Sequence, residues 1–183
     1  MRIHSCIANL VLIAFLAGLG AEADARSWKT TPTQRAQDYL SIQDARANNE
    51  IVLTMWIAPE YYAPEQKYEL VRNLLRTNAV IVIAHVQVRP TGEWKFFDPT
   101  NASIRHGNDA ARQPLDRDTL SPALSGFLTA FEKSLSQGIG KLGTNMKLLV
   151  FDGAGIESCG NGVLWVDYAG ENYSFKTPIP GCK

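Results

Sequence analysis

The stretch NMKLLVFDGAGIESCGNGVLWVDYAGENYSFKTPIPGCK, residues 145–183, decides the fold of this chain. It opens with a short apolar run over 146–151, bounded by turn residues, which is typical of a buried strand. Two alternating segments follow over 163–168 and 172–176, joined by a short connection that contains Gly170. This pattern predicts a β-hairpin. The residues expected on its core face alternate along the first strand: Leu164, Val166 and Tyr168.

Two cysteines stand at the open end of this hairpin. Cys159 precedes the first strand and Cys182 follows the second, so we expect their side chains to meet. A disulfide here would restrict the unfolded chain and contribute about 3 kcal/mol to stability. The alternative is a pair of free thiols. We predict the disulfide because the beginning of the chain indicates an oxidising compartment.

The first residues have the pattern of a cleaved secretory signal peptide, predicted over 1–25. Arg2 supplies a positive charge, and the apolar segment that follows is too short to span a bilayer comfortably. Cleavage after Ala23 and cleavage after Ala25 both fit the small-x-small rule, and an uncleaved anchor is the alternative. The sequence therefore predicts an exported protein, periplasmic or secreted, with one domain over 26–183. The compact signal indicates a bacterial origin, with a eukaryotic origin as the alternative.

The charge of the chain argues against two classes of partner. Among 183 residues, 18 are Lys or Arg and 18 are Asp or Glu, so the net formal charge is zero. A protein that binds nucleic acid or an acidic membrane surface needs a basic field, and no Lys/Arg cluster supplies one. We therefore expect no nucleic-acid partner and no stable membrane insertion after signal cleavage.

Helical and strand patterns share the rest of the chain. Helices are predicted from propensity, capping residues and apolar periodicity over 33–47, 64–77 and 122–137. Further strands are predicted from β-rich runs over 50–58, 79–89, 94–98 and, for a short one, 102–105. Hairpins outnumber crossovers in this order. The sequence thus predicts an α+β fold: a mostly antiparallel sheet with about three helices packed on it and a C-terminal hairpin closed by a disulfide.

Four polar residues are weak candidates for catalysis. His85 lies in the strand predicted over 79–89, which has the longest β pattern in the chain. A hydrogen-bonded core residue is the simpler interpretation of this histidine, and a catalytic base or a ligand is the alternative. His106 and Asp98 belong to a long polar stretch whose spacing matches no metal-ligand pattern. Asp152 ends a strand before a glycine, which is typical of a turn. We therefore predict no metal and no cofactor.

The aromatic, Pro-rich stretch over 56–64 is the candidate binding surface. Exposed Trp56, Tyr61 and Tyr62 would suit contact with a protein or a glycan. The alternative is that the tyrosines close over the edge of the core.

The sequence leaves three hypotheses about function. Neither a G-x-S-x-G nor a C-x-x-C motif is present, which favours a non-enzymatic binding or accessory protein. Its partner would be another exported protein or a cell-envelope component. The alternative is a small hydrolase or metal-dependent enzyme that uses His85, His106 and the carboxylates of Asp98 or Asp152, which requires these groups to converge. The third is a ligand pocket between sheet and helices.

Overall fold

The computed structural model of the chain describes residues 40–43, 49–180 and 182. The predicted signal peptide lies outside these residues. The described strands are β1 Leu40–Gln43, β2 Glu50–Ile57, β3 Asn78–Val88, β4 Trp94–Phe97, β5 Ser103–His106, β6 Lys147–Asp152, β7 Gly162–Tyr168 and β8 Glu171–Thr177. The described α-helices are α1 Glu69–Thr77 and α2 Pro122–Thr144. Short 3-10 turns cover Pro59–Tyr61, Gln66–Tyr68 and Arg117–Thr119.

The strands form two sheets. The larger sheet has five strands in the order β1-β2-β3-β4, with β6 also paired to β3. Strands β6 and β4 lie end to end along one edge of β3, because β6 pairs with residues 78–83 and β4 with residues 85–88. The smaller sheet has the order β5-β7-β8. All strand pairs in the described part of the chain are antiparallel, which confirms the predicted α+β class with antiparallel pairing.

Strand β3 is the centre of the core. Residues 79–86 are buried throughout, because this strand is covered on both of its faces. Alternate side chains of a strand point to opposite faces. Ile81 of β3 lies opposite Trp56 of β2, so Ile81 and every second residue from it share the face that meets the smaller sheet. The Trp56 ring packs edge-on against Phe175 of β8, with ring centroids 6.2 Å apart. The buried side chains of both sheets therefore form one continuous core.

The C-terminal hairpin is confirmed in detail. Strands β7 and β8 pair over their whole length, and Cys159 and Cys182 form the predicted disulfide with their Cα atoms 5.3 Å apart. The predicted core face is also confirmed, since all three of its residues are buried: Leu164, Val166 and Tyr168.

Helix α2 begins as predicted and ends later. The Ser121 side chain accepts a hydrogen bond from the Leu124 amide at 3.3 Å, and a proline occupies the first helical position. Ile139 and Gly140 leave helical geometry, where the sequence predicts the helix to stop. The chain then forms a further helical segment up to Thr144, so the break is internal.

The helix predicted over 33–47 is wrong at residues 40–43, where the chain forms β1. This strand pairs with β2, with Leu40 opposite Met55. Helix propensities differ by only a few tenths of a kcal/mol per residue, so the backbone hydrogen bonds offered by the edge of β2 outweigh them. The described part of the chain consequently has two α-helices where about three were predicted. None of its helices is long and apolar enough to cross a membrane.

Candidate functional site

The smaller sheet has a face that points away from the core. Along β8 the side chains alternate between buried and exposed, so one face of this sheet packs inward and the other meets solvent. Antiparallel partners share a face, and Trp165 lies opposite Arg105 on one side and Ser174 on the other. We call this surface the outer face; it consists of Ser103, Arg105, Val163, Trp165, Asp167, Asn172, Ser174 and Lys176.

A charge pair of Arg105 and Asp167 lies beside the tryptophan at the centre of the outer face. The Arg105 guanidinium lies over the Trp165 ring, with its Cζ atom 4.9 Å from the ring centroid. Arg105 Nε also donates to Asp167 Oδ2 at 3.3 Å, and both side chains are 31% exposed. A guanidinium that both stacks and donates is held in one orientation, which reduces the entropy cost of using it in binding.

The Asp167 carboxylate bonds Arg105 through one oxygen and keeps the other inside the protein. Its Oδ1 atom is buried and has no hydrogen-bond partner among the described residues, so it is closed to a donor from outside. Around this centre, Asn172, Ser174 and Lys176 are exposed, whereas Trp165 is half-buried. A partly buried aromatic and an arginine within a polar rim is the composition typical of protein interfaces.

His85 lies buried between the two sheets, with 8% of its surface exposed. Its Nδ1 lies 2.9 Å from the Tyr168 hydroxyl, and its Nε2 lies 3.3 Å from Glu50 Oε2. A carboxylate only accepts, so Nε2 donates to Glu50. The ring also stacks on Phe97, with centroids 4.4 Å apart. Both ring nitrogens have partners, so this arrangement favours the interpretation of a hydrogen-bonded core residue that joins the sheets.

The strand register separates His106 from His85. His106 ends β5 and pairs with Leu164, whereas His85 contacts Tyr168. Four residues of strand span about 13 Å, so the two histidines approach different ends of β7. The Nε2 atom of His106 is buried without a hydrogen-bond partner among the described residues. It packs against Gly162, where a Cβ atom would lie only 2.7 Å from this nitrogen.

The two candidate carboxylates make local contacts. Asp98 is exposed and forms an ion pair with Lys147 at 3.1 Å. Asp152 accepts a hydrogen bond from the Ala154 amide at 3.0 Å, which closes a turn after β6. Neither of these two contacts involves a histidine.

The aromatic stretch after β2 packs against the molecule. Trp56 is 2% exposed and belongs to the core. Tyr61 and Tyr62 are half-buried, and their rings contact Phe131 and Phe127 of α2 at centroid distances of 6.3 and 6.2 Å. These contacts favour the interpretation in which the tyrosines close over the core edge.

The sequence alone does not distinguish the residues of the outer face as a site. The alternation along β7 does place Trp165 and Asp167 opposite the core face, which is a usable signal. Arg105, which contacts both of these residues, lies on another strand and is brought beside them only by the pairing of β5 with β7. No local sequence pattern predicts a pairing between strands that are so far apart in sequence.

Comparison with known proteins gives no family for this chain. No protein-family model, no curated protein and no solved structure matches it significantly. The side chains of the chain itself are thus the basis for a functional assignment.

Proposed function

We propose that this chain is an exported, non-enzymatic binding or accessory protein that recognises a protein partner in the periplasm or cell envelope through its outer face. The observation that carries the proposal is the cluster of Arg105, Trp165 and Asp167 at the centre of that face. Tryptophan and arginine are the residues that most often dominate protein interfaces, and here both are held in place before any partner binds.

The arrangement of the cluster favours a protein partner over a glycan. A sugar ring stacks on a free aromatic face, but the Arg105 guanidinium already occupies one face of Trp165. The edge of the indole ring, the Arg105 guanidinium and the polar rim suit a surface of mixed side chains. Export to the periplasm or beyond follows from the predicted signal peptide and accords with the disulfide.

The enzyme hypothesis has weaker support. It requires His85 and His106 to share one site, and the strand register gives them different neighbours along β7. The hydrogen bonds of His85 with Tyr168 and Glu50 also give its ring nitrogens a structural role.

A change at Ser174 tests the proposed surface. Ser174 is exposed and lies directly opposite Trp165, so the variant Ser174→Arg adds bulk and charge to the outer face without removing a core contact. We expect this variant to lose its partner at least about tenfold, equivalent to about 1.4 kcal/mol. The measurement is quantitative mass spectrometry of proteins that copurify with the tagged chain from the exported fraction.

The matched control is Ser134→Arg on the exposed side of α2. It should retain every partner of the original chain, and both variants should keep the original urea midpoint. Equal retention of all partners by Ser174→Arg would contradict the assignment of the outer face.

A further inference from the structure

The buried carboxylate of Glu60 lies beside the disulfide. A carboxylate oxygen of Glu60 and the Sγ atoms of Cys159 and Cys182 all lie within 4.8 Å of one another. Glu60 is 7% exposed, whereas Cys159 is exposed and Cys182 is half-buried. An external thiol can therefore reach the disulfide from the side of Cys159.

Backbone hydrogen bonds order the segments that carry Glu60 and the two cysteines. Glu60 belongs to the 3-10 turn that follows β2, in which the Tyr61 amide donates to the Ala58 carbonyl at 3.0 Å. On the other side, the Ile179 amide donates to the Ser158 carbonyl at 3.0 Å, which ties together the two segments that carry the cysteines. The three side chains thus come from three separate parts of the chain, two of which are hydrogen-bonded to each other.

The Glu60 carboxylate has an unused oxygen. Its Oε2 atom is buried and has no hydrogen-bond partner among the described residues. Buried charges in proteins are normally paired, hydrogen-bonded or bound to a metal ion, because removing an isolated charge from water is unfavourable. A buried carboxylate with one unsatisfied oxygen, close to two sulfur atoms, has the donor set of a site for a thiophilic divalent cation once the disulfide is reduced.

We propose that reduction of the Cys159–Cys182 disulfide opens a zinc-type site formed by both sulfur atoms and the Glu60 carboxylate. An external dithiol transfers two electrons and two protons to the disulfide, which leaves two cysteine thiols and the dithiol oxidised to its own disulfide. The cation then displaces both thiol protons to solvent and binds two thiolates and one carboxylate. A water molecule completes the four-coordinate set. The disulfide and the metal are therefore mutually exclusive states of one site.

The distances permit this exchange with small movements. In a tetrahedral zinc site two sulfur ligands lie about 3.8 Å apart, and a sulfur and a carboxylate oxygen lie about 3.5 Å apart. Once the bond between Cys159 and Cys182 is broken, the sulfurs need only separate to that distance. The Glu60 oxygen already lies within 4.8 Å of both.

Zinc titration of the full chain tests the site. The protein is reduced with a phosphine, desalted without oxygen and titrated with Zn²⁺ against a chromophoric chelator, and native mass spectrometry gives the stoichiometry. We expect one zinc per reduced chain and none on the oxidised chain. The variant Glu60→Gln, which keeps the size of the side chain, should bind zinc at least about tenfold more weakly, since an amide is a poor zinc ligand.

Equal affinity of the reduced original chain and Glu60→Gln would overturn the proposal, as would zinc binding that does not depend on reduction. Circular dichroism covers the case in which reduction unfolds the chain. Zn²⁺ should then restore the folded signal of the original sequence and fail to restore that of Glu60→Gln. Equal recovery of both, or recovery of neither, would equally overturn the site.

Discussion

Replacement of Gly143 by alanine is expected to lower the free energy of unfolding by about 3 kcal/mol or more. Gly143 is buried in the last segment of α2, after the break at Ile139 and Gly140. A Cβ atom at this position would collide with the backbone carbonyl of Leu135 and lie 2.8 Å from Ile139 Cγ1. A backbone carbonyl cannot rotate away as a side chain can, so the two segments of the helix would have to separate.

Urea unfolding measures this effect, and Gly126→Ala is the matched control. Gly126 lies in the regular part of α2, where a Cβ atom would meet nothing within 4 Å. Because glycine is a poor helix former, this control should be unchanged or more stable by up to about 1 kcal/mol. A Gly143→Ala variant as stable as the control would mean that the chain does not fold back on itself after Gly140.

Replacement of Trp56 by alanine is expected to lower the free energy of unfolding by about 3–5 kcal/mol. The indole ring is almost fully buried and contacts Phe175 across the space between the two sheets. Its removal would leave a cavity at the centre of the core. The expected loss is a large fraction of the unfolding free energy of a typical domain. Thermal and urea unfolding both measure this loss.

Trp94→Ala provides the comparison. Trp94 is half-buried on the short strand β4, at the edge of the larger sheet. Its truncation should cost about 1–2 kcal/mol, in the ordinary range for a partly exposed site. Similar losses for the two variants would contradict the placement of Trp56 between the sheets.

Local sequence patterns are enough to predict most strands, because the faces of a strand that are buried carry apolar residues. The apolar run of β3 and the alternation of β7 both reflect which faces are covered. The disulfide was also predictable, since hairpin geometry brings the ends of β7 and β8 together. These features depend on residues that are close in sequence.

Pairing between distant strands was not predictable in the same way. Strand β1 has the residues of a surface helix, and it becomes a strand because β2 offers an unpaired edge. The division into two sheets likewise depends on β5 pairing with β7 across about 60 residues, after an irregular polar segment. Such contacts are decided by the assembled core and leave little trace in a short window of sequence.

The candidate sites show the same limit. Trp165 and Asp167 could be placed on one face from alternation alone, but their contact with Arg105 needs the second strand. Glu60 follows a strand, next to Tyr61 and Tyr62, and only the fold brings its carboxylate beside the disulfide. The sequence shows which residues could bind or react, but it does not show which of them lie close together in the fold.

The most direct test of the central claim, partner recognition through the outer face, is photo-crosslinking in cells that produce the chain. A photoreactive amino acid is placed at Ser174, which lies opposite Trp165, and in a second variant at Ser134 on α2. We expect a discrete crosslinked partner from position 174 that is missing from position 134 and that disappears when Arg105 is replaced by glutamate. No crosslink at 174, or the same products from both positions, would contradict recognition through this face.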